Sequence, residues 1–273
     1  MEKDVLNQIK KEKHNTKYIL IITMIILTLF IWSMSALSLK SPSNNGIAIA
    51  GNIFSGILQP DLIFLFEIND KGVLYLLIET LSIAFLGTIL GGVMALPLAF
   101  LSAKNLMPKP VAYFIRIVIM IIRTIPSFVY GLMFIRVTGP GSSAGVLTLG
   151  LISIGMLSKM FTETIEDLDK GILESMDAVG CTKLQKIKFG IVSQLNADFF
   201  SILLYRLDMN LRDASVLGLV GAGGIGAPLI FAMNAYKWNQ VGSILIGLFI
   251  LILVVELISS KIRNYLMGRS KKY

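Results

Sequence analysis

Residues 79–103 read ETLSIAFLGTILGGVMALPLAFLSA, with Glu79 at the very start as their sole charged residue. A helix needs about 20 mostly apolar residues to cross the hydrocarbon core of a bilayer, and only a helix or a closed barrel satisfies its own backbone there. This run is long enough. Comparable runs occupy residues 19–39, 111–137, 144–162, 197–217 and 241–260, so six membrane-spanning helices are predicted. The composition agrees: 55% of the chain is hydrophobic, 15% is charged and the mean hydropathy is +0.75, whereas a soluble domain carries about 25% charged residues. A soluble enzyme is excluded. One histidine, His14, and one cysteine, Cys181, supply no cluster for zinc, haem or an iron–sulfur centre and no intramolecular disulfide.

Lysine and arginine are disfavoured on the translocated side of short loops. Lys3, Lys10, Lys11, Lys13 and Lys17 precede the first run, Lys104 and Lys109 follow the second, Lys159, Lys170, Lys183, Lys186 and Lys188 lie in or beside the 159–196 loop, and Lys261, Arg263, Arg269, Lys271 and Lys272 close the chain. The opposite connections hold only Lys40, Lys71 and Lys237. Both termini and the 159–196 loop are therefore expected to be cytoplasmic. The net charge of +8 records topology; the basic residues form no stripe with stacking aromatics, so nucleic acid is not an expected partner. The first run exceeds the 7 to 15 apolar residues typical of a secretory signal and reads as a retained anchor. Beyond it, Ile47, Ala50, Phe54 and Leu58 fall at helical spacing and suggest a short amphipathic piece on the outer surface. No internal repeat relates the two halves of the chain, which argues against a secondary transporter.

Residues 163–193 are too charged to insert. Ile165, Leu168, Ile172, Met176 and Val179 recur at helical spacing among Glu166, Asp167, Asp169, Lys170, Glu174 and Asp177, which predicts an amphipathic helix. Gly180 is expected to end it, and Leu184, Ile187 and Ile191 begin a second short apolar stripe. A helix, a glycine turn and another helix would then lie on the cytoplasmic face, either as a lid packed under the bundle or as a docking element for a partner.

Glu174, Ser175, Met176, Asp177, Ala178 and Gly180, with the distance onward to Ser193, resemble the coupling loop of ATP-binding-cassette (ABC) importer permeases. That pattern runs Glu-Ala-Ala, three residues, Gly, nine residues, Ile, any residue, Leu-Pro. Ser175 and Met176 replace the alanines, Gly190 stands for the isoleucine, and Val192 with Ser193 replaces Leu-Pro. The flanks are similar to the phosphonate-type permease subfamily: Glu79-Thr80-Leu81, Gly87-Thr88, Ala95 to Phe100, Arg123-Thr124-Ile125-Pro126, Tyr205-Arg206 and Val216 to Gly226. The likeness covers about residues 75–265. It implies an all-α polytopic membrane protein with six transmembrane helices: a type I importer (MetI-like) permease core plus one N-terminal helix. Residues 1–72 would hold the cytoplasmic N-terminus, first span and outer loop, 73–265 the transmembrane domain with its coupling loop at 163–193, and 266–273 a cytoplasmic tail. It implies a homodimer with the path at the interface, surrounded by lipid in a prokaryotic cytoplasmic membrane. Two cytoplasmic ATPase subunits, holding ATP and magnesium, and an extracytoplasmic substrate-binding protein would complete the complex. Phosphonate, phosphite, phosphate or thiamine pyrophosphate would be the cargo.

An ionised group inside the hydrocarbon costs several kcal/mol and usually faces a bundle interior or an aqueous path. Arg123 falls about 18 Å into the third span, near mid-depth, and Pro126 follows where the helix is free to bend. In the fifth span, Asp208 and Arg212 form an i,i+4 pair in the favoured order, while Arg206 has no acidic residue one turn away. Arg123 and Arg206, with Arg212 less favoured, are the candidates for an oxyanion path, because a guanidinium fork fits phosphonate or phosphate oxygens. Asp213 departs from the small polar residue of the subfamily. Gly221, Gly223, Gly224 and Gly226 match a dinucleotide fingerprint in form, but no Asp or Glu occurs between Asp213 and Glu256 to bind a ribose. Close backbone approach in a re-entrant turn is the expected role, and the resemblance implies a gate there. No Gly-x-x-x-x-Gly-Lys-Ser/Thr loop is present, so ATP would be hydrolysed by another polypeptide, and no catalytic residue is assigned. The remaining alternatives are an ATPase-independent secondary transporter or channel, and an intramembrane protease, which the single His14 and the placement of Asp208 and Asp213 on one helix disfavour.

Overall fold

The computed structural model describes residues 16–36, 46–67, 69 and 72–270. Lys3, Lys10, Lys11, Lys13, His14, Lys40, Lys71, Lys271 and Lys272, on which part of the sequence reading rests, lie outside the described residues, as do residues 37–39 of the first expected span. Two compact units divide the chain, Met1–Gly51 and Asn52–Tyr273. The first contains α1 (Thr16–Ala36), an uninterrupted apolar helix long enough to cross a membrane. α2 (Gly46–Ile57) holds Ile47, Ala50 and Phe54 at helical spacing, all exposed, with Leu58 in the turn just past its end.

The second unit is all helical among its described residues. α3 (Leu62–Phe66) starts on Asp61, whose carboxylate accepts hydrogen bonds from the Ile63 and Phe64 amides at 3.1 and 3.2 Å. α4 (Val73–Ser102) begins earlier than its charge-free run, with Glu79 inside it. It packs most extensively on α7 (Ser142–Glu166). Lipid tails are as apolar as leucine, so close helix approach in a membrane relies on small residues and buried hydroxyls. α4 supplies both. A Cβ on Gly87 would sit 2.6 Å from Leu149 Cβ, and one on Gly91 would run into the Ser153 side chain and lie 2.9 Å from the Gly150 carbonyl oxygen. Ser102 and Thr162 share a 2.5 Å hydroxyl contact between the same two helices.

Three apolar clusters are strung along α4. One joins Val73, Leu76 and Leu77 to α11 (Gly226–Asn234) and α12 (Trp238–Ser270). The next joins Ile83 and Ala84 to Leu149 and to Leu211, Ala214 and Leu217 of α10 (Ser193–Gly218). The third joins Ala95, Ala99 and Ala103 to Leu157, Phe161 and Ile165, and reaches Leu173 of α8 (Lys170–Ala178) and Leu195 and Phe199 of α10.

The third span is not the single helix expected over 111–137. It is broken into α5 (Lys109–Thr124) and α6 (Ser127–Thr138), which meet at 84°. Proline pushes its preceding residue out of the helical region and donates no amide hydrogen. Ile125 is accordingly extended, at φ −82 and ψ 127. The turn frees carbonyls at the end of α5, and the Tyr130 hydroxyl donates to that of Ile122 at 3.0 Å, so the elbow is braced from within.

The hairpin expected over 163–193 also differs from its expectation. Ile165 belongs to the end of α7, and the predicted helix over 165–179 is cut at Asp167–Asp169. Short acidic side chains compete for backbone amides and favour helix ends over interiors: Asp169 caps α8, accepting from the Gly171 amide at 2.9 Å. The second rod is no separate helix. α9 (Lys183–Gln185), a π-helical stretch (Lys186–Val192) and α10 run on as one rod over Lys183–Gly218. Thr182 and Gln185 start it with a capping box.

Candidate functional site

At the end of the bundle that carries the 163–193 loop, α8 is pinned by Leu173, 9% exposed in the third apolar cluster, and by an ion pair from Asp177 to Lys186 on the π-helical stretch. Met176 presses its sulfur toward Gly190, where a Cβ would lie 2.6 Å away. Gly190, which replaces the subfamily's isoleucine, is thus the hollow that receives Met176. Gly180 ends α8 at φ +76: its amide donates to Asp177 and the Cys181 amide to Met176, at 2.9 and 3.0 Å, the paired bonds of a Schellman ending. Glu174, Ser175, Ala178 and Gly180 are exposed, and so are Val179 and Leu184 on either side of the turn. The structure therefore brings the expected coupling residues into one projecting knuckle. Val179, expected on the inward stripe, points outward, and Leu173 takes its place.

Inside the bundle, Arg206 is 2% exposed. Its Nε donates to Ser153 Oγ at 2.9 Å, Asn210 Nδ2 donates to the same oxygen at 2.9 Å and to Thr88 Oγ1 at 2.8 Å. Arg206 does have an acidic neighbour, two turns along: Asp213 Oδ2 lies 3.6 Å from Nη2. The expected Asp208–Arg212 pair is absent. Both residues reach across to α12 instead, Asp208 to Arg263 at 3.9 Å and Arg212 to Glu256 at 3.4 Å. Arg212 is half exposed there, and the structure does not bring it to Arg206 or Arg123.

Arg123 lies exposed at the end of α5, its stem across Gly155, where a Cβ would come within 2.7 Å. Arg206 Nη1 faces the Met156 sulfur at 3.2 Å. The two arginines thus flank consecutive residues of α7, one from α5 and one from α10. Arg123 also lines a cavity of about 200 Å³ with Arg116, Lys159, Glu163 and Glu166. Arg116 pairs with Glu166 at 2.6 Å and Lys159 with Glu163 at 3.3 Å, which leaves Arg123 the uncompensated cation among the described lining residues. Pro126 is exposed at the elbow beside it. Sequence reasoning missed Arg116 and counted Lys159 only as a charge in or beside the 159–196 loop; the seven-residue step from Arg116 to Arg123, two helical turns, was the available signal.

Gly221 closes α10 at φ +96, and Gly223 and Gly224 follow at φ +81 and +72. Such backbone favours glycine, and space is short as well: a Cβ on Gly223 would lie 2.6 Å from the Ser142 amide. The turn is tied down by the Ile225 amide donating to Thr80 Oγ1 at 2.9 Å and the Gly141 amide donating to Gly221 at 3.0 Å. Gly226 packs against Gly218 and the Ser215 carbonyl. All four glycines form one turn wedged between α4 and the α6–α7 connection, where Ser142 donates to Glu79 at 2.6 Å.

Comparison with known proteins places residues 95–271 within the model of the binding-protein-dependent transport system inner membrane component. The phosphite transport system permease protein PtxC of Stutzerimonas stutzeri is 33% identical over 190 residues, covering 69% of each chain. The phosphate-import permease protein PhnE of Mycolicibacterium smegmatis is 37% identical over 197 residues, covering 72% of this chain and 37% of that protein. Among solved structures, an inward-facing MetNI methionine ABC transporter superposes with a TM-score of 0.64 at 20% identity, over 71% of this chain and 95% of that one.

Proposed function

The chain belongs to the binding-protein-dependent transport system inner membrane components, and we propose that it is the permease subunit of an ATP-driven importer of phosphorus oxyanions. The observation that carries the substrate class is a guanidinium fixed inside the bundle, Arg206, which faces Met156 of α7, with Arg123 of α5 lying across the adjacent Gly155. Relatives named for phosphite and phosphate import support it. The elbow adds to the case: α6 begins at Pro126, so the positive end of its dipole lies beside Arg123.

Two copies pair around the path, and a binding protein delivers the anion from outside. The knuckle at Glu174 to Gly180 seats in a cytoplasmic ATPase, which holds ATP and magnesium. ATP binding draws the two knuckles together and opens the path outward, and the glycine turn at 221–226 serves as the gate. This chain's part is passage and not chemistry: it makes and breaks no covalent bond in the cargo.

The deciding experiment is uptake of radiolabelled phosphate, phosphite, methylphosphonate and thiamine pyrophosphate by proteoliposomes holding this chain, its ATPase and its binding protein. Uptake that requires ATP and the ATPase is expected. Uptake without the ATPase would make it a secondary transporter, and accumulation of thiamine pyrophosphate alone would move the cargo to a phosphorylated vitamin.

A further inference from the structure

Arg206 is held on two sides and loose on the third. Nε is fixed by Ser153, and Nη1 faces a thioether sulfur, a weak acceptor. Nη2 is buried and has no hydrogen-bond partner. Its nearest acid is Asp213, at 3.6 Å, well beyond the roughly 2.7 to 2.9 Å of a tight guanidinium–carboxylate contact. Arg116 and Glu166 approach to 2.6 Å, so the two pairs differ in distance, although Nη2 of Arg116 is likewise buried without a hydrogen-bond partner. The partners also differ in freedom: the Arg206 side chain is 2% exposed, that of Asp213 39%. The cation is enclosed, and the anion is partly open to its surroundings.

A guanidinium edge accepts two oxygens of a carboxylate or of a phosphorus oxyanion in the same way. The geometry points to Asp213 as a placeholder that neutralises Arg206 while the path is empty and gives way when the cargo's oxyanion arrives. This rests on the phosphorus-oxyanion reading and adds to it the residue that sets how tightly the anion is held. The exchange keeps Arg206 compensated throughout, so the buried cation is never bare. It also weakens binding, because a ligand's apparent affinity falls by the fraction of time its seat is free. Weak holding suits a path that must release its cargo.

The test uses the assembled complex of this chain with its ATPase in nanodiscs, without binding protein, and measures equilibrium binding of radiolabelled inorganic phosphate. If Asp213 fills the seat about nine-tenths of the time, Asp213→Asn and Asp213→Ser each tighten phosphate binding about tenfold. Adding Arg206→Lys to Asp213→Asn abolishes that gain. Asparagine keeps the size of the side chain, and serine restores the small polar residue, so the pair guards against a defect of one variant. Binding by Asp213→Asn no tighter than by the natural chain overturns the placeholder, as does a gain that survives Arg206→Lys. Uptake by the natural complex in liposomes separates the two ideas. Phosphorus uptake with unchanged Asp213→Asn binding removes the placeholder alone, and absence of any phosphorus uptake removes the reading beneath it.

Discussion

Ser153 is a single hydroxyl that accepts from Arg206 and Asn210 at once, and so holds α10 against α7. Ser153→Ala strands two buried donors, one of them charged, and is expected to cost about 2 to 3 kcal/mol, read as a lower thermal midpoint of the purified subunit. Ser82→Ala, which removes an exposed hydroxyl bonded only within its own helix, should stay within about 0.5 kcal/mol. This network was only half legible. Arginines and aspartates in an apolar span announce themselves, but the serine and threonine that receive them look like any small residue. Spacing along one helix misled as well. Asp208 and Arg212 have the right separation to pair, yet each meets an opposite charge on α12, and contacts between helices leave no mark in local sequence.

Two glycines separate two kinds of constraint at the level of the element. Gly91 is a matter of space: a side chain there meets Ser153 and the α7 backbone. Gly91→Val should therefore force α4 from α7 at a cost of about 1 to 3 kcal/mol, while Gly268→Ala, with nothing within 4 Å, should be neutral or slightly stabilising in the same unfolding assay. Gly180 is a matter of handedness. It too has open space around it but sits at φ +76, so Gly180→Val costs about 1 to 2 kcal/mol of backbone strain and tilts the knuckle. The expected readout is ATP hydrolysis retained with uptake lost by more than tenfold, with Gly180→Asn much milder because asparagine tolerates that conformation; full uptake by the valine variant would count against the docking role. Gly180 was readable in advance, since a glycine after an amphipathic stripe has few other uses. The cut at Asp167–Asp169 was not, because the apolar spacing runs on across it and only the capping carboxylates betray the break. Pro126 signalled a bend, but neither its size, 84°, nor the brace from the Tyr130 hydroxyl to the Ile122 carbonyl is written in local spacing.

Across the whole molecule, the spans were the most legible feature, because the demand that every backbone group be satisfied in lipid acts on each segment separately. The orientation expected from lysine placement is open to a direct check. In a Cys181→Ser background, Leu184→Cys should react with an impermeant thiol reagent only from the cytoplasmic side and Lys237→Cys only from outside; the reverse pattern would invert the topology. Less legible was how the ends of the bundle are finished, since that depends on partners the sequence does not contain. Val179 and Leu184 are each 78% exposed on the knuckle, at an end that meets water. Apolar surface left in water there is free energy held in reserve. Whatever covers the knuckle gains it on seating, so the same two side chains that leave the lone subunit unfinished would help to hold an assembled one together.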